Sequence, residues 1–293
     1  MQKITPHLWF DKEAKEAAKF YTSIFKNSQI KNMGVIENTP SGDADIITID
    51  LSGQEFMLIN AGPYFKFTPA VSFLVACDTK EEVDELWKPL SQGGLALMEL
   101  DTYPFSERYG WIQDKYGLSW QIMLIGDIKT AQKITPALMF VGKQSGRAEE
   151  AVNFYTSIFP KSKIDHFMRY QTGEDPEKEG TIKHAGFSLL DMEFGAMDSA
   201  NKHNFTFNEA VSLIVYCDDQ EEIDYYWENL SAVPESEQCG WLKDKFGFSW
   251  QIVPSVMKEM MSTGDKDKLA RVTKAFLQMK KFDIAELEKA YNG

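Results

Sequence analysis

The 293-residue chain is written twice. The run YGWIQDKYGLSWQI, Tyr109 to Ile122, returns as CGWLKDKFGFSWQI, Cys239 to Ile252. ITPHLWF at Ile4 matches ITPALMF at Ile134, and FYTSIF at Phe20 returns unchanged at Phe154. AVSFLVACD at Ala70 becomes AVSLIVYCD at Ala210, and EEVDELW at Glu81 becomes EEIDYYW at Glu221. All but one of the seven tryptophans fall in repeat pairs: Trp87 with Trp227, Trp111 with Trp241, Trp120 with Trp250. A repeat this long is a folding unit in itself, not one turn of a solenoid, so the chain must form a tandem of two domains. The boundaries implied are residues 1–126 and 131–254, followed by a tail of different character at 255–293. The halves differ by loop-sized changes. The largest is GGLALMELDTYPFSER, most of which the second half replaces with AVPESEQ.

Each half carries the same order of elements twice. ITPHLWF alternates and is bounded by Asp11, which predicts a strand. Ala14, Ala17, Ala18, Tyr21, Ile24 and Phe25 then recur at helical spacing, as do Ala148, Ala151, Val152, Tyr155, Ile158 and Phe159. SQIKNMGVIE, ADIITIDLSG and QEFMLINAG follow as strand-like runs, the last two joined by a hairpin turn around Ser52-Gly53. AVSFLVACD begins the second module, and Thr79 with Glu82 forms a capping box for the helix of Val83, Leu86, Trp87 and Leu90. Two or three strands follow, the last pair joined through DKYG or DKFG, where Gly117 and Gly247 are free to take positive φ. The pattern is βαβββ, four times. The tail is helical, with Met257, Met260, Met261, Leu269, Val272, Ala275 and Phe276 as its packing stripe.

Composition narrows the partners. A net charge of −13 argues against nucleic acid and anionic membrane, which both need a basic face. No apolar run reaches the ~20 residues that span a bilayer. MQKITPHLWF has no basic stretch leading into an apolar core, so no signal peptide is expected. The three cysteines, Cys77, Cys217 and Cys239, form no CxxC and suit a reducing, cytoplasmic setting. Cys77 and Cys217 precede acidic helix starts, where a thiol can be activated, but small buried residues are the expectation there. His166, His184 and His203 show no ligand spacing along the sequence.

With FYTSIF, GWLKDKFGFSWQIVP and QMKKFDIAELEKAY in view, the chain resembles the PhnB-like branch of the vicinal-oxygen-chelate (glyoxalase/bleomycin-resistance) superfamily. Members of that branch often carry the label 3-demethylubiquinone-9 3-methyltransferase. The resemblance implies an α+β fold of tandem glyoxalase domains, each of two βαβββ modules forming an incomplete barrel around a ligand cavity, plus the helical tail. It leaves open whether modules pair within a half or exchange between halves. Metal-dependent members place His, Glu, His and Glu on four strands; others bind a small molecule with no metal.

Strand alternation says which side chains face that cavity. Val71, Phe73 and Val75 pack on helices, leaving Ser72 and Leu74. Trp120, Ile122 and Leu124 leave Ser119, Gln121 and Met123. Ile47, Ile49 and Leu51 leave Thr48 and Asp50, while Pro6, Leu8 and Phe10 leave His7 and Trp9. The glutamine in an otherwise apolar strand is thus a cavity group. Laid on the family's metal pattern, His7, Asp50, Ser72 and Gln121 take the four positions of the first half, and Ala137, Ser188, Ser212 and Gln251 those of the second. The second set cannot bind a catalytic divalent ion. In the first, His7, Asp50 and Gln121 could ligate, but Ser72 is a poor substitute for histidine, so no metal or other cofactor is expected. Met139 and Ile214 supply apolar cavity surface.

The expected function is binding of a small molecule. A lyase, isomerase or dioxygenase working from His7 and Asp50, with or without a metal, is the alternative. Methyl transfer is disfavoured, because no Gly-rich strand-turn-helix is present. The chain would act as a monomeric pseudo-dimer or as a homodimer.

Overall fold

The computed structural model describes residues 2–39, 42–126 and 130–293. The first module comprises β1 (Ile4–Phe10), α1 (Ala14–Ile24), β2 (Gln29–Thr39), β3 (Gly42–Leu51) and β4 (Gln54–Asn60). The second is β5 (Val71–Cys77), α2 (Lys80–Ser91), β6 (Leu95–Tyr103), β7 (Ser106–Gln113) and β8 (Ser119–Leu124). The third repeats the pattern as β9 (Ile134–Phe140), α3 (Ala148–Ile158), β10 (Lys163–Arg169), β11 (Ile182–Leu189) and β12 (Met192–Asp198). The fourth has β13 (Val211–Cys217), α4 (Gln220–Leu230), β14 (Trp241–Lys243) and β15 (Ser249–Pro254). It departs from the fourfold βαβββ expectation by one strand, because AVPESEQ forms a short 3-10 turn where the first half builds β6.

Local signals act where the sequence places them. Ser52 and Gly53 take φ of 51° and 90°, the twist a two-residue hairpin needs. Thr79 Oγ1 accepts the Glu82 N–H at 3.1 Å, and the Glu82 carboxylate reaches back to the Asp78 N–H. Ala14, Ala17, Ala18 and Tyr21 are buried along one face of α1.

The repeated motifs meet at a buried carboxylate. Tyr21 of FYTSIF donates its hydroxyl to Asp114 of DKYG at 2.7 Å, and Trp120 Nε1 donates to the same oxygen at 2.9 Å. The other oxygen accepts the N–H groups of Tyr116 and Leu118, closing the turn in which Gly117 has φ 86°. Asp244 repeats this with Tyr155, Trp250, Phe246 and Phe248 around Gly247 at φ 82°. Burial pushes both carboxyls above the usual aspartate range, against four donors that favour the charged form. The duplication of DK[YF]G and its distant tyrosine is therefore structural: it ties α1 to the β7–β8 turn, and α3 to the β14–β15 turn.

Each helix buries one face on the sheet of its own module, but the sheets themselves are built by exchange. The first runs β14-β15-β13-β1-β4-β3-β2 and the second β10-β11-β12-β9-β5-β8-β7-β6. The seams are antiparallel: Leu8 opposite Val211 and Ile4 opposite Val215 in one, Val71 opposite Leu138 and Val75 opposite Ile134 in the other. The α+β class and the order of elements within the modules stand. Each incomplete barrel, however, joins one module from each half rather than the two modules of one half. Within a half, β1 and β5 pair with the other half, and the two modules meet through side chains such as Phe56 and Phe73, whose rings are 5.2 Å apart.

The tail comprises α5 (Val256–Met261), α6 (Lys266–Phe276) and α7 (Ile284–Asn292). Met257, Met260, Val272, Phe276, Phe282 and Leu287 form a separate small core against Ile36, Cys239 and Val253. Lys258 binds Glu55 at 3.0 Å and lies over the Tyr216 ring. The tail thus packs on both halves, across the first sheet.

Candidate ligand site

Each sheet turns one face to the helices, where Phe73, Trp120, Phe187 and their equivalents are fully buried; the opposite face is the inner one. In the first sheet His7 of β1 and Trp241 of β14 are three strands apart, ~14 Å on a flat sheet. Their rings are 5.3 Å apart, so the sheet curls and its inner side chains converge.

The inner faces can be compared strand by strand. Across the first sheet the register aligns Asn32, Thr48, Met57, His7 and Ser212, and Gln251 Nε2 donates to Ser212 Oγ. Across the second it aligns His166, Gly186, Gly195, Ala137 and Ser72, and Gln121 Nε2 donates to Ser72 Oγ. The first row is filled by its own side chains. The second is built of two glycines, an alanine and a serine, with the His166 ring laid over Gly186 and His184 beside Gly195.

Exchange redistributes the sequence-derived cavity residues. Trp9, Thr48, Ser212, Ile214 and Gln251 belong to the first sheet; Ser72, Leu74, Gln121, Met139 and Ser188 belong to the second. Both glutamines bond to side chains rather than to neighbouring backbone, with Tyr109 donating its hydroxyl to Gln121 Oε1 at 2.7 Å.

His7 and Asp50 do not form a pair. Asp50 Oδ1 accepts the Gly53 N–H at the β3–β4 turn, one inward position along from Thr48. His7 is buried against Trp241 with Nδ1 unpartnered, and burial pushes its pKa down to about 3. It is neutral at pH 7 and gives a carboxylate no cation to meet. The proposed ligand trio His7, Asp50 and Gln121 is also split between the two sheets. Each row offers one imidazole, His7 in the first sheet and His166 at the edge of the second, and neither row offers a carboxylate. That donor set does not fit a catalytic divalent ion, and among the described residues no group of three His, Cys, Asp or Glu could hold one.

The second sheet instead carries groups that the sequence reading set aside. His166 Nε2 and His184 Nδ1 are 2.8 Å apart, although their positions showed no ligand spacing. Only the β10–β11 register brings them together. Burial, and then the charge of His166, push His184 down to about 4. Near Tyr109 the long β6–β7 hairpin adds Tyr103 and the exposed Phe105, whose ring lies 4.9 Å from that of Tyr109. This arm is the segment the second half lacks. Cys77 and Cys239 are buried enough to push their thiols up to about 12 and about 11, and Cys217 rises likewise, so none is an activated nucleophile.

A family model described as 3-demethylubiquinone-9 3-methyltransferase matches residues 2–123 and again 132–253. The chain belongs to this family. The PhnB protein of Bacillus cereus is 46% identical over 42% of this chain and 99% of its own length, with a TM-score of 0.40. A Staphylococcus aureus protein is 31% identical over 42% of this chain and 97% of its own, with a TM-score of 0.18. Glyoxalase I from Zea mays is similar over 87% of this chain and 93% of its own, with 13% identity and a TM-score of 0.56, a likeness of fold. None of the curated proteins compared matches the chain. The signal for the asymmetry of the two faces lay in this PhnB-like repeat itself: Gly195 stands where the first half has Met57, Ala137 where it has His7.

Proposed function

We propose that this PhnB-like protein binds a small organic molecule on the inner face of the second sheet, without a catalytic metal. The observation that carries the reading is the run of small residues Gly195, Ala137 and Ser72, where the other sheet presents Met57, His7 and Ser212. His166 and His184 take the space over Gly186 and at the edge of Gly195, and the ligand would lie on the small floor of Gly195, Ala137 and Ser72 beside them. The Tyr109–Gln121–Ser72 chain supplies orienting polar groups, and Tyr103 with Phe105 supplies an aromatic wall. The first sheet is obstructed by its own His7, Trp9 and Trp241 and overlaid by the tail.

The methyl transfer in the family's name finds no support in this arrangement. The described strands lie in two mixed sheets of βαβββ-type modules, none with the Gly-rich strand-turn-helix that holds a nucleotide-type methyl donor. The test is binding of anilinonaphthalene sulfonate by fluorescence, alongside elemental analysis of the purified protein. Wild type should bind the dye and Ala137→Met should bind it at least tenfold more weakly, with no stoichiometric divalent metal in either. Equal binding by the two proteins, or one equivalent of bound metal, would overturn the reading.

A further inference from the structure

We propose that His166 and His184 form a proton relay for this site, in which His184 Nε2 accepts a proton from the ligand and His166 hands the charge to solvent. The inference rests on the second sheet's inner face being the ligand site.

The geometry is that of a built pair. The rings are tilted by only 18° with centroids 5.0 Å apart, the separation two imidazoles have when joined edge to edge through a 2.8 Å hydrogen bond. The glycines make room for it. A Cβ on Gly186 would stand 2.7 Å from His166 Cε1, and one on Gly195 would stand 3.7 Å from His184 Nε2. His184 Nε2 therefore lies beside Gly195, while its Nδ1 is engaged by His166. His166 is exposed and His184 largely enclosed, so the pair runs from solvent to the ligand face.

The transfer balances. The ligand's O–H bond breaks as an N–H forms at His184 Nε2, leaving the ligand an anion. The proton on His184 Nδ1 passes to His166 Nε2, which becomes the cation and can release its Nδ1 proton to water. A single enclosed histidine would have to hold that cation itself, which desolvation opposes; the relay puts it on the exposed ring. The same path in reverse returns a proton to the ligand, as an acid–base step needs.

The reporter is 4-nitrophenol, whose absorbance distinguishes phenol from phenolate, with 4-nitroanisole as a probe that has no proton to give. At a pH one unit below the phenol's own pKa, wild type should bind both and shift most bound 4-nitrophenol to phenolate. His184→Gln should bind both with the phenol still protonated, and His166→Gln should lower the phenolate fraction several-fold with 4-nitroanisole affinity unchanged. If both variants ionise the phenol as wild type does, the relay is refuted and the ligand site stands. If neither probe binds, or Ala137→Met leaves both bound, the site falls and the relay with it. Histidine ¹⁵N spectra of the ligand-free protein give a second test: one shared hydrogen bond supports the relay, and two unbonded rings overturn it.

Discussion

Lowering the pH from 7.5 to 5 should destabilise this protein through His7, and replacing His7 should remove that part of the loss. The imidazole is buried against Trp241, and burial alone pushes its pKa from 6.5 to about 3. A histidine with a depressed folded-state pKa contributes stability that is fully present above 6.5, its unfolded value, and lost as pH falls towards the folded value. Between pH 6.5 and pH 5 the unfolded chain takes up the proton and the folded one does not. At ~1.4 kcal/mol per pH unit this amounts to about 2 kcal/mol at pH 5, and a folded pKa anywhere below 4 gives the same figure. His184, pushed down to about 4, adds a similar loss in wild type and in a His7 variant alike, so it cancels in their difference. His7→Met keeps volume and removes the titration. Urea unfolding followed by tryptophan fluorescence at pH 7.5 and 5.0 should show the variant losing about 2 kcal/mol less than wild type across that interval. An identical loss in the two proteins would refute the claim that His7 is enclosed and neutral.

Three further outcomes follow from the fold. Asp114→Asn and Asp244→Asn should each cost about 2–4 kcal/mol, because an amide cannot accept from all four donors, and a loss under 1 kcal/mol in chemical unfolding would contradict the hub. Gly117→Val and Gly247→Val should each cost ~2 kcal/mol or more at positive φ; wild-type melting temperatures would sink the turn geometry. Residues 1–126 expressed alone expose the seam edges of β1 and β5, so light scattering should find a dimer in which β1 of one copy pairs with β5 of the other; a stable monomer would argue against exchange.

Sequence alone determined the units of this protein and which way their side chains point. The repeat spacing set two matched halves, and strand alternation put Ser72 on one face with Gln121, and Ser212 with Gln251, because the period of two is a local property of extended chain. Gly117 and Gly247 were legible for the same reason, since a tight turn is decided by residues adjacent in sequence. Partnership across the sheets was not legible. Either module pairing satisfies the same alternation, and nothing local in β1 says whether β5 or β13 lies beside it. That one choice separated His7 from Gln121 and grouped Gln121 with Ala137 and Gly195. It also left Asp50 to a turn N–H and joined His166 to His184 through a register that no spacing in the chain reveals. Tertiary structure decided which residues meet in the candidate site, because a site is a set of long-range neighbours and long-range pairing is where local pattern carries no information.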